Sequence, residues 1–466
     1  MKYDHVITIA KYEARLLRRS TLFQVFTGLA ILGIPFLQLI NQGGDNLFWY
    51  KIALPSSFPF INIYLYNLLQ TLVIIFACTE REKQSMTQYT IEVLQCHPAS
   101  NYEFCIGKIL GIFKEFIKIN FCVLIIGVFI NIWGSNAPFR IEFYLFYFLT
   151  LTLPTLFFIS GFTLWMTRII KSQVLIILLL IIYLLCNYFY FSKIQFGTFD
   201  FLSRTLSYQF SDITGYTALP KYLLVRLGYT LLGIGFMYLW GGMWQRLTNK
   251  ISSKGNTYMI SILFFLPGSI AILYSWYDCK TLENRRELYK TTYLRYQPEN
   301  KARVIQNDIT YRSSGKQMSA TSKLSVQNQT KEILSHIILY LNPALHVTRI
   351  LDKSQGLDYS RENQVIVLHR KLAPAEKITL NIDYHGKIDD AICYLDFPTN
   401  EISNETRIKQ NNIFRFGQQY TFLTENYTLL LPECVWYPVC VPPVNIVFPY
   451  ARETNFTHFT LKVETS

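Results

Sequence analysis

The sequence predicts an α-helical membrane domain of about seven spans, opened by an amphipathic helix and followed by an all-β domain. Three observations lead there. The 466 residues are 51% hydrophobic but only 16% charged, against roughly a quarter charged in soluble domains. Apolar runs near the roughly 20 residues needed to cross a bilayer recur as far as residue 276. Beyond that point the runs give way to polar stretches with period-two alternation, the pattern of half-buried strands. The boundary gives two regions, 1–276 and 277–466. The formal net charge is +13. No Lys- or Arg-rich tract is long enough to argue for nucleic acid, so the excess is read as cytosolic cations flanking spans.

Residues 4–20 form a basic amphipathic helix. Ile7, Ile9, Ala10, Ala14 and Leu17 lie broadly on one side, and Lys11, Arg15, Arg18 and Arg19 add positive charge. Such a helix lies along a membrane face with its cations near anionic lipid; as a positive flank of the first span it serves equally. No convincing small-residue cleavage site accompanies the first apolar run, which reads as a retained anchor. Spans are expected at about 22–40, 58–78, 109–133, 141–166, 174–191, 222–244 and 258–276. The aromatic run Phe48-Trp49-Tyr50 suits an interface belt. Residues 192–220 are less apolar and read as a partly helical external segment. Arg15, Arg18, Arg19, Arg81, Lys83, Lys108, Arg168, Lys171, Arg246, Lys250 and Lys254 all fall in segments on one side. With that side cytosolic, seven spans leave the tail outside the cytosol.

Residues 80–111 stand apart. The segment opens with Glu80, Arg81, Glu82 and Lys83, runs through an amphipathic stretch to Leu94, breaks at Pro98 and resumes as a helix through Lys108. A cytosolic helix–break–helix between two spans can lie in a cleft of a soluble partner and pass its motion to the membrane. The spacing Thr90-x-Glu92-Val93-Leu94, Pro98-x-Ser100-Asn101 and Gly107-Lys108-x-Leu110-Gly111 resembles the coupling segment of type-2 ABC transporter permeases, the exporter class. The resemblance covers roughly residues 1–275. It implies that residues 4–20 are the elbow helix and that Glu92, Leu94, Pro98, Ser100 and Asn101 contact a separate ATP-binding subunit. It further implies a second permease half, as homo- or heterodimer, and a place in the bacterial cytoplasmic membrane with the N-terminus in the cytosol. Glu92 as a solvated helix charge is the plainer alternative.

In the tail, Ile378, Leu380, Ile382 and Tyr384 alternate with Thr379, Asn381 and Asp383, and similar runs occur at 365–369 and 339–342. Pro, Gly and Asn divide them, as in an antiparallel sheet or sandwich. About 190 residues suffice for a separate core. The stretch 332–394, with Leu372-Ala373-Pro374-Ala375-Glu376 ahead of the strand 378–384, then Trp436-Tyr437-Pro438 and the strand 459–463, resembles the N-terminal β-domain of zinc aminopeptidases of the gluzincin class. The whole chain then resembles a permease–aminopeptidase fusion that stops at Ser466, where the catalytic part would normally begin, with that part expected on another chain or lost.

Catalytic motifs are missing. A zinc peptidase needs H-E-x-x-H, two His one helical turn apart with a Glu general base. The seven His (His5, His97, His336, His346, His369, His385 and His458) do not make it, and G-x-M-E-N is absent. The Gly-Lys pairs at 107, 315 and 386 do not fit the phosphate-cradling G-x-x-x-x-G-K-[ST]. The chain is therefore expected to be no enzyme and to hold no metal or cofactor, with ATP and Mg on the partner. Four tail cysteines, Cys279, Cys393, Cys434 and Cys440, allow disulfides in an oxidising compartment, with connectivity open. Two readings of other kinds stand beside the exporter. One is a membrane-anchored, non-catalytic aminopeptidase-like module that binds peptide or protein. The other is one part of a split zinc aminopeptidase completed by a peptidase chain.

Overall fold

The computed structural model describes residues 3–43, 55–85, 101–134, 138–192, 194–204, 210–211, 215–216, 219–243, 254–396, 419–425, 427–443, 445–446 and 455–464. The chain divides into two compact units, Met1–Tyr277 and Asp278–Ser466.

In the first unit, helix α1 (Tyr3–Arg19) buries Val6, Glu13, Ala14 and Leu17. Then come α2 (Thr21–Gly28), a π turn (Leu29–Gly33) and α3 (Ile34–Gly43). Helix α4 (Ser57–Ser85) precedes α5 (Asn101–Gly134). Helix α6 (Ile141–Tyr147) continues through a π turn (Phe148–Thr152) into α7 (Leu153–Ile169). Helix α8 (Gln173–Cys186), capped by the Ser172 hydroxyl, ends in a third π turn (Asn187–Phe191). A short hairpin, β1 (Phe210–Ser211) with β2 (Gly215–Tyr216), precedes α9 (Leu219–Gly242). Helix α10 (Lys254–Tyr296) comes next. Among the described residues, seven helical stretches are long and apolar enough to cross a membrane: Thr21–Ile40, Ser57–Ser85, Glu103–Trp133, Ile141–Ile169, Gln173–Phe191, Leu219–Gly242 and Thr257–Tyr296.

Two packing features shape this unit. Helix α1 lies against α5 where Gly107 and Gly111 stand one turn apart. A Cβ on Gly107 would come within 2.8 Å of the Ile9 side chain, and one on Gly111 within 2.8 Å of the Ala10 carbonyl oxygen. Helices α7 and α9 touch backbone to backbone at Gly161 and Gly233. A Cβ on Gly233 would lie 2.5 Å from the Phe157 oxygen. Glycine at each crossing lets the helix backbones approach closely.

The seventh apolar stretch differs from expectation. The tail was read as β from residue 277, yet α10 runs on to Tyr296. Leu282, Arg286, Tyr289, Tyr293 and Tyr296 recur at helical spacing and pack on the second unit's core. Frequent charges between them hide this narrow stripe. The second unit is thus not all-β.

Its main sheet has the order β13-β3-β4-β10-β6-β7. Its strands are β3 (Arg303–Ser314), β4 (Gln317–Gln327), β6 (Leu345–Asp352), β7 (Gln355–Gly356), β10 (Lys377–Gly386) and β13 (His458–Glu464). All pairs are antiparallel except β13 with β3. A smaller sheet orders β5 (Ile337–Tyr340), β9 (Val365–Leu368) and β8 (Tyr359–Glu362). Strands β11 (Phe422–Leu423) and β12 (Thr428–Leu429) form a separate pair. Alternation in β4 and β10 puts Leu324, Val326, Leu380 and Ile382 into a core shared with Ile337, Leu339, Ile366 and Leu368 of the small sheet. The small sheet's other face carries Ile338, Tyr340 and Val365 against Tyr289 and Tyr293. Covered on both faces, β5 is buried along its whole length, as expected of a central layer.

Candidate functional site: a buried carboxylate joining four helices

The segment 86–100 lies outside the described residues, and with it Glu92, Leu94, Pro98 and Ser100. Asn101 opens α5. The described chain on either side of that segment is where ionic groups meet.

Glu82 sits one turn before the end of α4 and is 3% exposed. Ile75, Cys78, Glu82 and Ser85 are spaced three, four and three apart and are all buried, so the carboxylate shares the helix's inward stripe. Lys108, near the start of α5, donates from Nζ to Glu82 Oε1 at 2.5 Å and to Ser85 Oγ at 3.4 Å. Arg168, at the end of α7, donates from Nη2 to Glu82 Oε2 at 2.9 Å. Trp240, near the end of α9, donates from Nε1 to the same oxygen at 3.3 Å. The Lys108 ammonium and Arg168 guanidinium lie 6.0 and 5.9 Å from the Trp240 ring centroid, within cation–π range. One carboxylate thus ties four helices together.

Helix α1 joins the group through α5. His5 Nδ1 lies 3.3 Å from Glu103 Oε2, and Arg18 Nε 3.5 Å from Glu115 Oε2. Burial pushes the Glu13 carboxyl above its usual range, against the pull of Lys108 and Arg81. The basic helix therefore packs lengthwise on α5, with Ala14 and Leu17 turned inward.

A second buried cation lies further toward the N-terminal ends of α7 and α9. Arg226 donates from Nε to the Thr150 carbonyl (2.7 Å) and from Nη2 to the Leu151 carbonyl (3.1 Å) and Thr155 Oγ1 (3.0 Å). Its Nη1 donates to the Phe201 carbonyl (2.6 Å) and Ser203 Oγ (2.8 Å). Thr150 and Leu151 belong to the π turn, where the irregular ladder leaves carbonyls to outside donors. Asp200 organises the adjoining loop, accepting from the amides of Leu202 (2.8 Å) and Arg204 (2.6 Å).

From the sequence, Glu82 and Lys108 belong to the charged segment expected on the cytosolic side, and neither Arg226 nor Trp240 is singled out. An Arg inside an apolar run, and a Glu in register with Ile75 and Cys78, were the available signals. Asn120, buried within α5, donates from Nδ2 to Thr152 Oγ1 at 3.5 Å. Asn187 is fully buried at the start of the third π turn. They have company in Gln38, Asn62, Asn67 and Gln70, all buried.

In the second unit, Asp389 Oδ2 accepts from Arg285 Nη1 and the Tyr289 hydroxyl, each at 2.8 Å. His336, His369 and His385 lie at or beside strands, and among the described residues no three His, Cys, Asp or Glu side chains are placed to hold a metal.

No protein-family model matches the chain, and no curated protein matches it. Solved structures that match include the M1 zinc metallopeptidase from Deinococcus radiodurans, at 22% identity over 20% of this chain and 22% of that one, with a TM-score of 0.18. A mutant of the same enzyme bound to a Tyr-Ser-Ala substrate matches at 21% identity over 21% and 23%, with a TM-score of 0.19. A two-domain M1 zinc metallopeptidase mutant bound to L-tryptophan matches at 22% identity over 20% and 22%, with a TM-score of 0.18. The chain spans about a fifth of the length of these structures.

Proposed function

We propose that this chain is the membrane-spanning permease subunit of an ABC transporter. It would couple ATP hydrolysis by a separate ATP-binding subunit, which carries ATP and Mg, to export across the bacterial cytoplasmic membrane. The working unit would contain a second permease half. The N-terminus lies in the cytosol and the β-rich unit outside, and this chain performs no catalysis itself. The observation that supports the reading is the Glu82 cluster. A push on residues 86–100 reaches α4 and α5 at once, because Glu82 and Lys108 bind each other on the segment's two sides. Arg168 and Trp240 extend the same carboxylate to α7 and α9. A loop that only connected spans would not need a buried ionic tie across four helices, given what burying charge costs.

The test is to purify the chain from its native membrane in mild detergent, identify what accompanies it by mass spectrometry, and measure ATPase activity. A co-purifying ATP-binding subunit is expected, whose stimulation by this chain falls in Pro98→Leu and Glu92→Arg. Purification without an ATPase at low salt, or full stimulation and transport in both variants, overturns the reading.

A second reading, a membrane-anchored binding module, draws on a narrow apolar cleft in the second unit. Tyr293, Tyr340, Gln364, Ile392, Val435 and Pro442 line it. Retained peptide binding in both uncoupling variants would favour that module. Recovery of a chain carrying H-E-x-x-H would instead favour the split peptidase.

A further inference from the structure

Two thiols of the second unit are held side by side. Cys393 follows the short turn Asp390–Ile392, and Cys434 closes the turn Pro432–Cys434. Both are fully buried in one apolar cluster with Ala391, Ile392, Leu395 and Val435. The turns that carry them adjoin, both touched by the Asn342 side chain, and Cys434 Sγ donates to the Leu431 carbonyl at 2.8 Å. Cys440 is buried elsewhere, in the core between the sheets.

The backbone on each side is pinned, and one side chain pins both. Asn342 Oδ1 accepts from the Asp389 amide at 3.0 Å. Its Nδ2 donates to the carbonyls of Asp389 (3.1 Å) and Cys434 (2.8 Å). The Asn342 amide donates to the Val435 carbonyl at 2.7 Å. On the Cys393 side, Arg286 donates to the carbonyls of Ala391 (3.2 Å), Cys393 (2.6 Å) and Tyr394 (2.7 Å). The fold thus positions both turns through contacts that do not need the sulfurs. A crosslink between cysteines already held together needs little rearrangement of the backbone, which favours its formation.

We propose that Cys393 and Cys434 are a disulfide-forming pair that closes the chain between residues 393 and 434 wherever the second unit meets a disulfide oxidant. One thiolate attacks a sulfur of a small-molecule or protein disulfide and expels one thiol. The second thiolate then attacks the resulting mixed disulfide and expels the other. Two S–H bonds are lost and one S–S bond forms; two protons leave, and two electrons reduce the oxidant to two thiols. Burial shields the closed bond from reductant. The crosslink would fix the turn that carries Asp389, and so the attachment of Arg285 and Tyr289.

The full-length chain in detergent is reduced, desalted and equilibrated overnight with glutathione buffers from fully reduced to fully oxidised. A parallel series contains urea, to open the second unit to reagent. Samples are acid-quenched, denatured, alkylated with N-ethylmaleimide and mapped by peptide mass spectrometry. The Cys393–Cys434 linkage is expected to rise from about a tenth of the population to about nine-tenths across the series, as a preorganised dithiol should. Cys440 stays alkylated. Cys434→Ser and Cys393→Ser each abolish the linkage and leave the other thiol alkylated. Full alkylation of both cysteines at the most oxidising ratio with urea overturns the proposal, as does linkage of Cys393 mainly to Cys279 or Cys440.

Discussion

Replacing Glu82 by Gln removes the charge and keeps the volume. Lys108, 1% exposed, and Arg168, 10% exposed, would then share a buried site without their common carboxylate. Removing one partner of a buried pair costs about 3–5 kcal/mol, mostly from the charge left behind. The Gln carbonyl can still accept one hydrogen bond, which puts the expected loss near the lower end, about 3 kcal/mol. For a unit of this size that lowers Tm by roughly 6–12 °C. The stranded Lys108 ammonium is the main source, so neutralising it should recover part of the loss. Glu82→Gln/Lys108→Met is expected to lose at least about 1 kcal/mol less than the two single changes summed, as contacting residues do. The assay is thermal unfolding in detergent of the wild type, both single variants and the double variant, read by size exclusion after heating. A Tm shift of under about 1 °C for Glu82→Gln, or strict additivity in the cycle, would refute the idea that this carboxylate ties the helices.

Other positions give further tests. Gly233→Val places side-chain atoms where the Phe157 backbone lies; it should lower stability by about 3 kcal/mol or more through forced separation of α7 from α9, and disulfide trapping between cysteines placed on those helices measures the gap. Arg226→Met strands the carbonyls of Thr150, Leu151 and Phe201; a loss of about 3 kcal/mol is expected, with faster proteolysis at 194–204 as the readout. Asp390 is a pH test. Burial raises its carboxyl from 3.8 to about 6, although Thr421 hydrogen-bonds to it. Because the folded value is the higher one, the second unit is favoured below about pH 4 and loses stability as pH rises to about 6, by up to about 3 kcal/mol. Asp390→Asn keeps the Oδ1 acceptor and should flatten this profile and raise stability at pH 7, as followed by exchange of the Thr421 amide; an unchanged slope would contradict it.

Long apolar helices and alternating strands were the legible part of this chain, because hydropathy runs and a period of two survive without neighbours. Strand 378–384, expected from alternation, lies within β10, and the expected 365–369 is present as β9 up to Leu368. The two longest strands went unnamed. In β3 and β4 the buried positions include Asn307, Ala320, Ser322 and Ser325, so the inward face does not read as apolar. The extension of α10 to Tyr296 was hidden by charges between Leu282, Tyr289 and Tyr293. The site was half legible. Basic residues at 81–108 and 168 were grouped on one side from their charge, but nothing local marks Glu82 as the acceptor they share. That fact is made by four helix ends converging, which no window of one helix contains.

The same convergence says which helices move together. Along α7 and α9 three contacts recur in step: Thr155 with Arg226, Gly161 with Gly233, and Arg168 with Trp240 through Glu82. The intervals are six and seven residues on α7 and seven and seven on α9, so the two helices run parallel and stay in register for about four turns. From Arg226 to Trp240 is 14 residues, about 21 Å at 1.5 Å per residue. Polar ties at both ends of that length and a backbone contact between them leave little freedom to slide or splay. Sliding by one turn would break the Arg226 and Arg168 contacts and carry Gly233 away from the Phe157 and Gly161 backbone it meets. The α7–α9 pair is therefore one body, and α4 and α5 are fastened to its end by the carboxylate of Glu82. Any displacement of the segment between α4 and α5 must either carry that body with it or break a buried ion pair, and the cost of the second favours the first.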